Sequence, residues 1–261
     1  MGLVDGFIRT FFDKFRFYGG YMFAPERTWE EAVDAGDVAG ASLLRFYGRN
    51  AAVADGEALW AVSTAYTWQT ANQQPIVVSS SANDDGAPAG SGAQIVRIWW
   101  LDSAYTETYE DVTLNGVGNV NMVANTVRRI NRVEVIACGT TGWNEGNITV
   151  YAADGVTVMA YMPIGQNVND GIIQSVPTGK ADYIKRITLS ATDTLRVLLW
   201  VRALPADPWV SYLTLSEETV GNPYWLDVPI KIAAGCDYFF ACATSGAPIA
   251  SAEVYGWRMN A

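Results

Sequence analysis

Two hydrophobic periods divide the chain. Over residues 3–17, Val4, Phe7, Ile8, Phe11, Phe12 and Phe15 recur at i, i+3, i+4, i+7 spacing, with Asp5, Arg9, Asp13, Lys14 and Arg16 mostly opposite, which predicts an amphipathic helix ended by Gly19 and Gly20. A second short helix should begin at Thr28. Its hydroxyl can accept the Glu31 N–H while the Glu31 side chain reaches back, a capping box, and Gly36 and Gly40 stop the helix. From about residue 74 the pattern changes to short apolar or alternating runs bounded by Gly, Asn, Asp or Pro. These predict strands near 75–80, 94–101, 106–114, 117–123, 130–138, 147–152, 156–162, 171–176, 182–190, 195–203, 209–216, 225–232, 236–243 and 252–259. Asp154-Gly155 and Asn115-Gly116 fit tight hairpins, and Ala191 to Thr194 separates two further strands. No helical pattern lies between strands after residue 50, which argues against a parallel α/β fold. The expected fold is all-β, an antiparallel β-sandwich of jelly-roll type with a short helical N-terminal segment. Residues 1–45 would form a helical arm and 46–261 the sandwich, with a division into two packed sub-domains near 178–182.

Composition sharpens this picture. Half of the 261 residues are apolar, enough for a sizeable core, while only 17% are charged against the roughly 25% usual in soluble domains. The 24 Gly, 10 Pro, 10 Trp and 13 Tyr favour β-structure with many turns. The chain has no His, which removes the commonest general base, the commonest metal ligand and every Ser-His or Cys-His nucleophile. With 17 basic against 27 acidic residues the net charge is −10, and the densest basic group is Arg128, Arg129 and Arg132. Direct nucleic-acid binding needs a broader basic face. Those arginines alternate with Val127, Ile130 and Val133, so they are read as a solvated strand face. Cys138, Cys236 and Cys242 form no CxxC and lie in apolar runs, so they are read as reduced core residues. The charges among the first apolar residues argue against a secretory signal, and no window is apolar for long enough to predict a membrane span.

Candidate chemistry is sparse. Asn83-Asp84-Asp85-Gly86 is rich in oxygen, but lacks the alternating carboxylates and closing Glu of a calcium loop and is read as a surface turn. Gly90-Ser91-Gly92 is a fragment of a phosphate loop with a strand, not a helix, after it. Among the acids, Asp102, Glu107, Glu110, Asp111 and Glu145 are the candidates for a glycosidase pair, which spacing alone can only weigh down. Trp99, Trp100 and Trp143 could stack on sugar rings, although consecutive strand residues face opposite ways, so one of Trp99 and Trp100 belongs to the core. No catalytic, cofactor-binding or metal-binding residue is assigned, no cofactor is expected, and the chain is expected not to be an enzyme.

Three segments in order carry a resemblance. The stretch Val77 to Val96 with Trp100-Leu-Asp and Val112-Thr-Leu-Asn-Gly comes first. Arg129-Ile-Asn-Arg-Val-Glu-Val with Gly142-Trp-Asn-Glu-Gly-Asn-Ile-Thr-Val follows, then Ser175-Val-Pro-Thr-Gly-Lys-Ala. Over roughly residues 46–190 the sequence resembles a group of phage and marine viral β-sandwich structural proteins. The resemblance implies a virion component that acts through interfaces: a capsid decoration, minor capsid, vertex or tail-collar protein assembled in the host cytoplasm. Its partners would be other virion proteins and itself, as a trimer or pentamer. The face of Val4, Phe7, Ile8, Phe11, Phe12 and Phe15, with the capped turn at 28–36, would attach to a neighbouring subunit. The alternative is a carbohydrate-binding adhesion module of a viral fibre or spike, with a host glycan as partner.

Overall fold

A computed structural model describes residues 16–18, 21–23, 28–62, 65–203, 205, 207–217, 222–244, 246 and 248–261. The strand-forming residues collect into four antiparallel sheets of four strands each. The first runs β10 (Val158–Met162), β9 (Ile148–Tyr151), β4 (Ile76–Ser79), β7 (Val120–Asn121). The second runs β11 (Val168–Asp170), β8 (Arg129–Cys138), β5 (Ala93–Leu101), β6 (Glu107–Thr113). The third runs β12 (Ile173–Ser175), β17 (Asp237–Ala243), β14 (Leu195–Arg202), β15 (Val210–Glu217). The fourth runs β16 (Asn222–Ile232), β13 (Lys180–Ala191), β18 (Ala250–Asn260), β3 (Ser42–Asn50). A small hairpin, β1 (Arg16–Tyr18) with β2 (Tyr21–Phe23), stands apart from them.

The chain is all-β, but its four sheets are arranged as the blades of a four-bladed β-propeller, which corrects the expected jelly-roll-like sandwich. The strand pattern misled for a physical reason. A short strand with one apolar face has the same sequence whichever closed antiparallel architecture it enters. What differs is which strands share a sheet, and that depends on the turns. Val176 to Lys180 carries the chain from β12 in the third blade to β13 in the fourth, with Gly179 at φ +75° and Lys180 N–H donating to the Pro177 carbonyl. Asn115-Gly116 likewise leads from the second blade to the first and is not the hairpin expected, whereas Asp154-Gly155 does join the paired strands β9 and β10.

The alternating pattern is spent on two apolar cores. Val77, Val96, Ile98, Met122, Ile148, Val150 and Met162 fill the space between the first and second blades. Phe46, Leu59, Ile184, Ile187, Leu199, Tyr238, Phe240 and Val254 fill that between the third and fourth. The short helix α1 (Trp29–Asp34) has the expected capping box, with the Thr28 hydroxyl accepting the Glu31 N–H and the Glu31 carboxylate accepting the Thr28 N–H. Its Trp29, Ala32 and Val33 bury against Trp257 of β18, so the apolar side of this short helix is covered by the chain itself. The expected helix over 3–17 lies outside the described residues except for Arg16 and Phe17, which are in β1. All three cysteines are free, Cys236 and Cys242 buried and Cys138 half-buried.

Candidate functional site

Where blades two, three and four meet, charge is buried. Arg129 is 3% exposed, which corrects its reading as part of a solvated face. Its Nε and Nη2 donate to the two oxygens of Asp237 at 3.0 and 2.7 Å. Arg202 of β14 donates to the same carboxylate at 2.8 and 3.1 Å, and the Ser175 hydroxyl at 2.5 Å. Trp68 takes both guanidinium groups against its ring, at 5.0 Å for Arg129 and 4.9 Å for Arg202. Burial by itself would push the Asp237 carboxyl up, but hydrogen bonds and charge from Arg129, with Ser175 and Arg202, hold it below the usual carboxylate range. A second cluster joins blades two, three and four. Arg258 donates to Asp182 at 2.7 and 2.9 Å and to Glu107 at 3.2 Å, and the Tyr238 hydroxyl donates to Asp182 at 2.8 Å. Burial of ions is tolerated here because almost every oxygen and N–H is answered. The clusters clamp blades together.

The acids singled out from the sequence are engaged in the same structural way. Asp102 accepts the Ala104 and Thr106 N–H groups, and Glu110 accepts those of Val123 and Ala124. Asp111 pairs with Arg97 at 2.7 Å, and Glu145 accepts from Asn83 and Ser91. Glu107 belongs to the Arg258 cluster. The loop read as a surface turn is organised around a buried group: Asp84 is fully buried and accepts from the Ser79 hydroxyl and the N–H groups of Ala93, Glu145 and Gly146, at 2.7–2.8 Å. Trp100 packs on the core between the first two blades, Trp99 lies 4.9 Å from the Tyr109 ring, and Trp143 is exposed. The interface candidates Val4, Phe7, Ile8, Phe11, Phe12 and Phe15 lie outside the described residues. Among the described residues, no group of His, Cys, Asp and Glu side chains assembles as a metal site, and no helix is long and apolar enough to cross a membrane.

Beside the clusters opens a cleft of about 220 Å³ between the β3 edge, β8, β10 and β11. Ile130, Met159, Ile172 and Ile173 line its apolar part, and Tyr47, Trp60, Tyr66 and Tyr161 supply aromatic walls. Arg49 and Arg132 bring positive charge, and among the described side chains no acid lines it. The Trp60 and Tyr66 rings meet edge to face at 5.2 Å, and Tyr66 continues to Trp68 at 4.9 Å, so the wall is braced against the buried arginines. Burial pushes the Tyr66 hydroxyl up to about 12, so it remains a neutral donor. Sequence reasoning missed this site because Trp60 and Tyr66 fall in 51–74, a stretch without either period, and β3 was not predicted. The aromatic spacing Trp60, Tyr66, Trp68 was the available signal.

No family model matches the chain, and no curated protein matches it. Among solved structures the chain is similar to one from the structure of the infectious bursal disease virus Gt strain, 9% identical, over 85% of this chain and 73% of that chain, with a TM-score of 0.20. A likeness that slight carries no argument about fold or function. The class that the structure defines is an all-β chain of four four-stranded blades.

Proposed function

We propose that the chain is a structural component of a virus particle, working through protein contacts as a capsid decoration, minor capsid, vertex or tail-collar protein. One observation carries the contact-making part of this reading. The edge strands β15 of the third blade and β16 of the fourth, touching where the Tyr224 hydroxyl donates to the Ser216 carbonyl, expose Val210, Tyr212, Trp225 and Val228, the last two 59% and 80% accessible. Exposed apolar side chains on edge strands mark a surface that is covered in an assembly. The ordered segments resembling phage and marine viral proteins supply the virion context, with other virion proteins and further copies of the chain as partners. The reading assigns no catalytic role, since Asp102, Glu107, Glu110, Asp111 and Glu145 each hold a turn, a strand or another blade. The test is incorporation: Trp225→Ser with Val228→Ser should fold normally yet fail to enter particles or to form the trimer or pentamer, read by light scattering. Normal incorporation of that double variant would overturn the role of this surface. Removal of residues 1–20 asks the same question of the Phe7, Phe11 and Phe15 face.

The cleft beside β3 favours a second reading, a carbohydrate-binding adhesion module with a host glycan as partner, because it joins aromatic walls to polar and cationic groups.

A further inference from the structure

We propose that the cleft beside β3 binds the carboxylate-bearing ring of an acidic saccharide. The proposal gives the second reading a ligand class and does not depend on the particle reading.

Size comes first. A cavity of about 150 Å³ admits a benzene ring, so the 220 Å³ here admits one substituted six-membered ring, with the rest of any chain left outside. The walls then select the kind of ring. Tyr47, on the same face of β3 as Arg49, is 47% exposed and offers its ring to a ligand, while Trp60 is fixed by Tyr66. The charge is the third observation. Although the chain has a net charge of −10, the described side chains of this cleft include two arginines and no acid. Arg132 is answered by Glu134 at 3.2 Å, whereas Arg49 is exposed and has no ion pair among the described residues. It is therefore the surplus positive charge of the cleft, and a guanidinium fork matches a carboxylate in two parallel hydrogen bonds.

The polar rim separates a sugar from a flat aromatic acid. The Gln166 amide lies exposed at the rim, and Asn169 keeps its amide oxygen after donating to the Tyr161 carbonyl. These groups match ring hydroxyls as donors and acceptors, and an aromatic acid would leave them unanswered.

The full chain is titrated with glucuronate and N-acetylneuraminate, with glucose as the uncharged control and benzoate as the anion without hydroxyls, following tryptophan fluorescence and saturation-transfer NMR. Glucuronate or N-acetylneuraminate should bind about tenfold more tightly than glucose or benzoate. Arg49→Gln should remove that advantage at an unchanged melting temperature, and Tyr47→Ala should weaken both acidic sugars about fivefold. Glucose binding as well as glucuronate would overturn the proposal, as would equal binding of benzoate or full affinity in Arg49→Gln. Particle incorporation of Arg49→Gln should be normal, so failure here and failure of the structural reading are separate results.

Discussion

Asp84 and Asp237 are both completely buried carboxylates, and they are held in opposite ways. Asp84 sits in the loops of the first two blades and accepts from one hydroxyl and three backbone N–H groups, all neutral. Asp237 sits where blades meet and is gripped by two guanidinium groups and Ser175. Reach explains the difference. Backbone dipoles can be aimed at a point only by the loops that carry them, so Asp84 orders Ser79, Ala93, Glu145 and Gly146 close to the turns they belong to. Long arginine side chains can cross from one sheet to another, so Asp237 ties β8 to β12, β14 and β17. Neutral donors thus order the loops where the first two blades begin, and full charges join strands across blades.

The largest expected effect comes from breaking the charged centre. Asp237→Asn leaves Arg129 and Arg202 buried without their counter-ion and should cost about 3–5 kcal/mol, read as a lower urea midpoint. A loss under 1 kcal/mol would mean that water already reaches the cluster. Asp84→Asn, nearly isosteric, turns an amide toward N–H donors and should cost about 2–3 kcal/mol. Its effect on the blade-joining region should be absent, so hydrogen exchange should rise at 79–93 and 144–147 and stay unchanged in β14 and β17. Spread of the exchange to β17 would break the distinction between loop-shaping and blade-joining carboxylates.

Acid sharpens the same comparison. The folded Asp237 carboxyl titrates below its unfolded value of about 3.9. Its stabilisation is therefore complete above that pH and is lost as pH falls through it toward the folded value. The stability gap between the natural chain and Asp237→Asn should be constant from pH 8 to about 5 and shrink below about 4. A gap that persists unchanged at pH 3 would contradict the arginine clamp. The smallest effects belong to a corner held by neither device. At Gly179, φ is +75° and a Cβ would meet nothing within 4 Å, so Gly179→Val should cost only backbone strain, about 1–2 kcal/mol. Lys180→Ala, which loses a bond to Asn260, should stay within about 0.5 kcal/mol in the same melts.

Legibility followed the range of the interactions. The Thr28 capping box and, β11 apart, the strands from residue 75 onward were readable because a cap spans three residues and a strand's period spans two. Where the strands went was not readable, since β12 and β13 are neighbours in sequence and belong to different blades. β3 escaped because its pattern, Ser42 to Asn50, mixes two arginines and a glycine among its apolar residues, and Gly48 is there because a Cβ would strike the Leu59 carbonyl at 1.9 Å. Arg129 looked solvated for a similar reason. Its alternation with Ile130 is local, whereas its counter-ion lies 108 residues away. The cleft shared that obscurity, because its walls come from β3, from Trp60 and Tyr66, and from β8, β10 and β11.

β3 has one neighbour in its sheet, β18, and Phe46 stands opposite Val254 in their register. During synthesis, then, residues 42–50 leave the ribosome roughly 208 residues before the strand that completes their hydrogen bonds. At about 5–20 residues per second that wait is on the order of ten to forty seconds, long against the roughly 1–10 μs in which a local hairpin forms. Through that interval Leu44 and Phe46, buried in the finished blade, have no sheet to enter. The fourth blade is therefore the last to close, and a chaperone that shields an early apolar strand would act on this segment before any other part of the sheet.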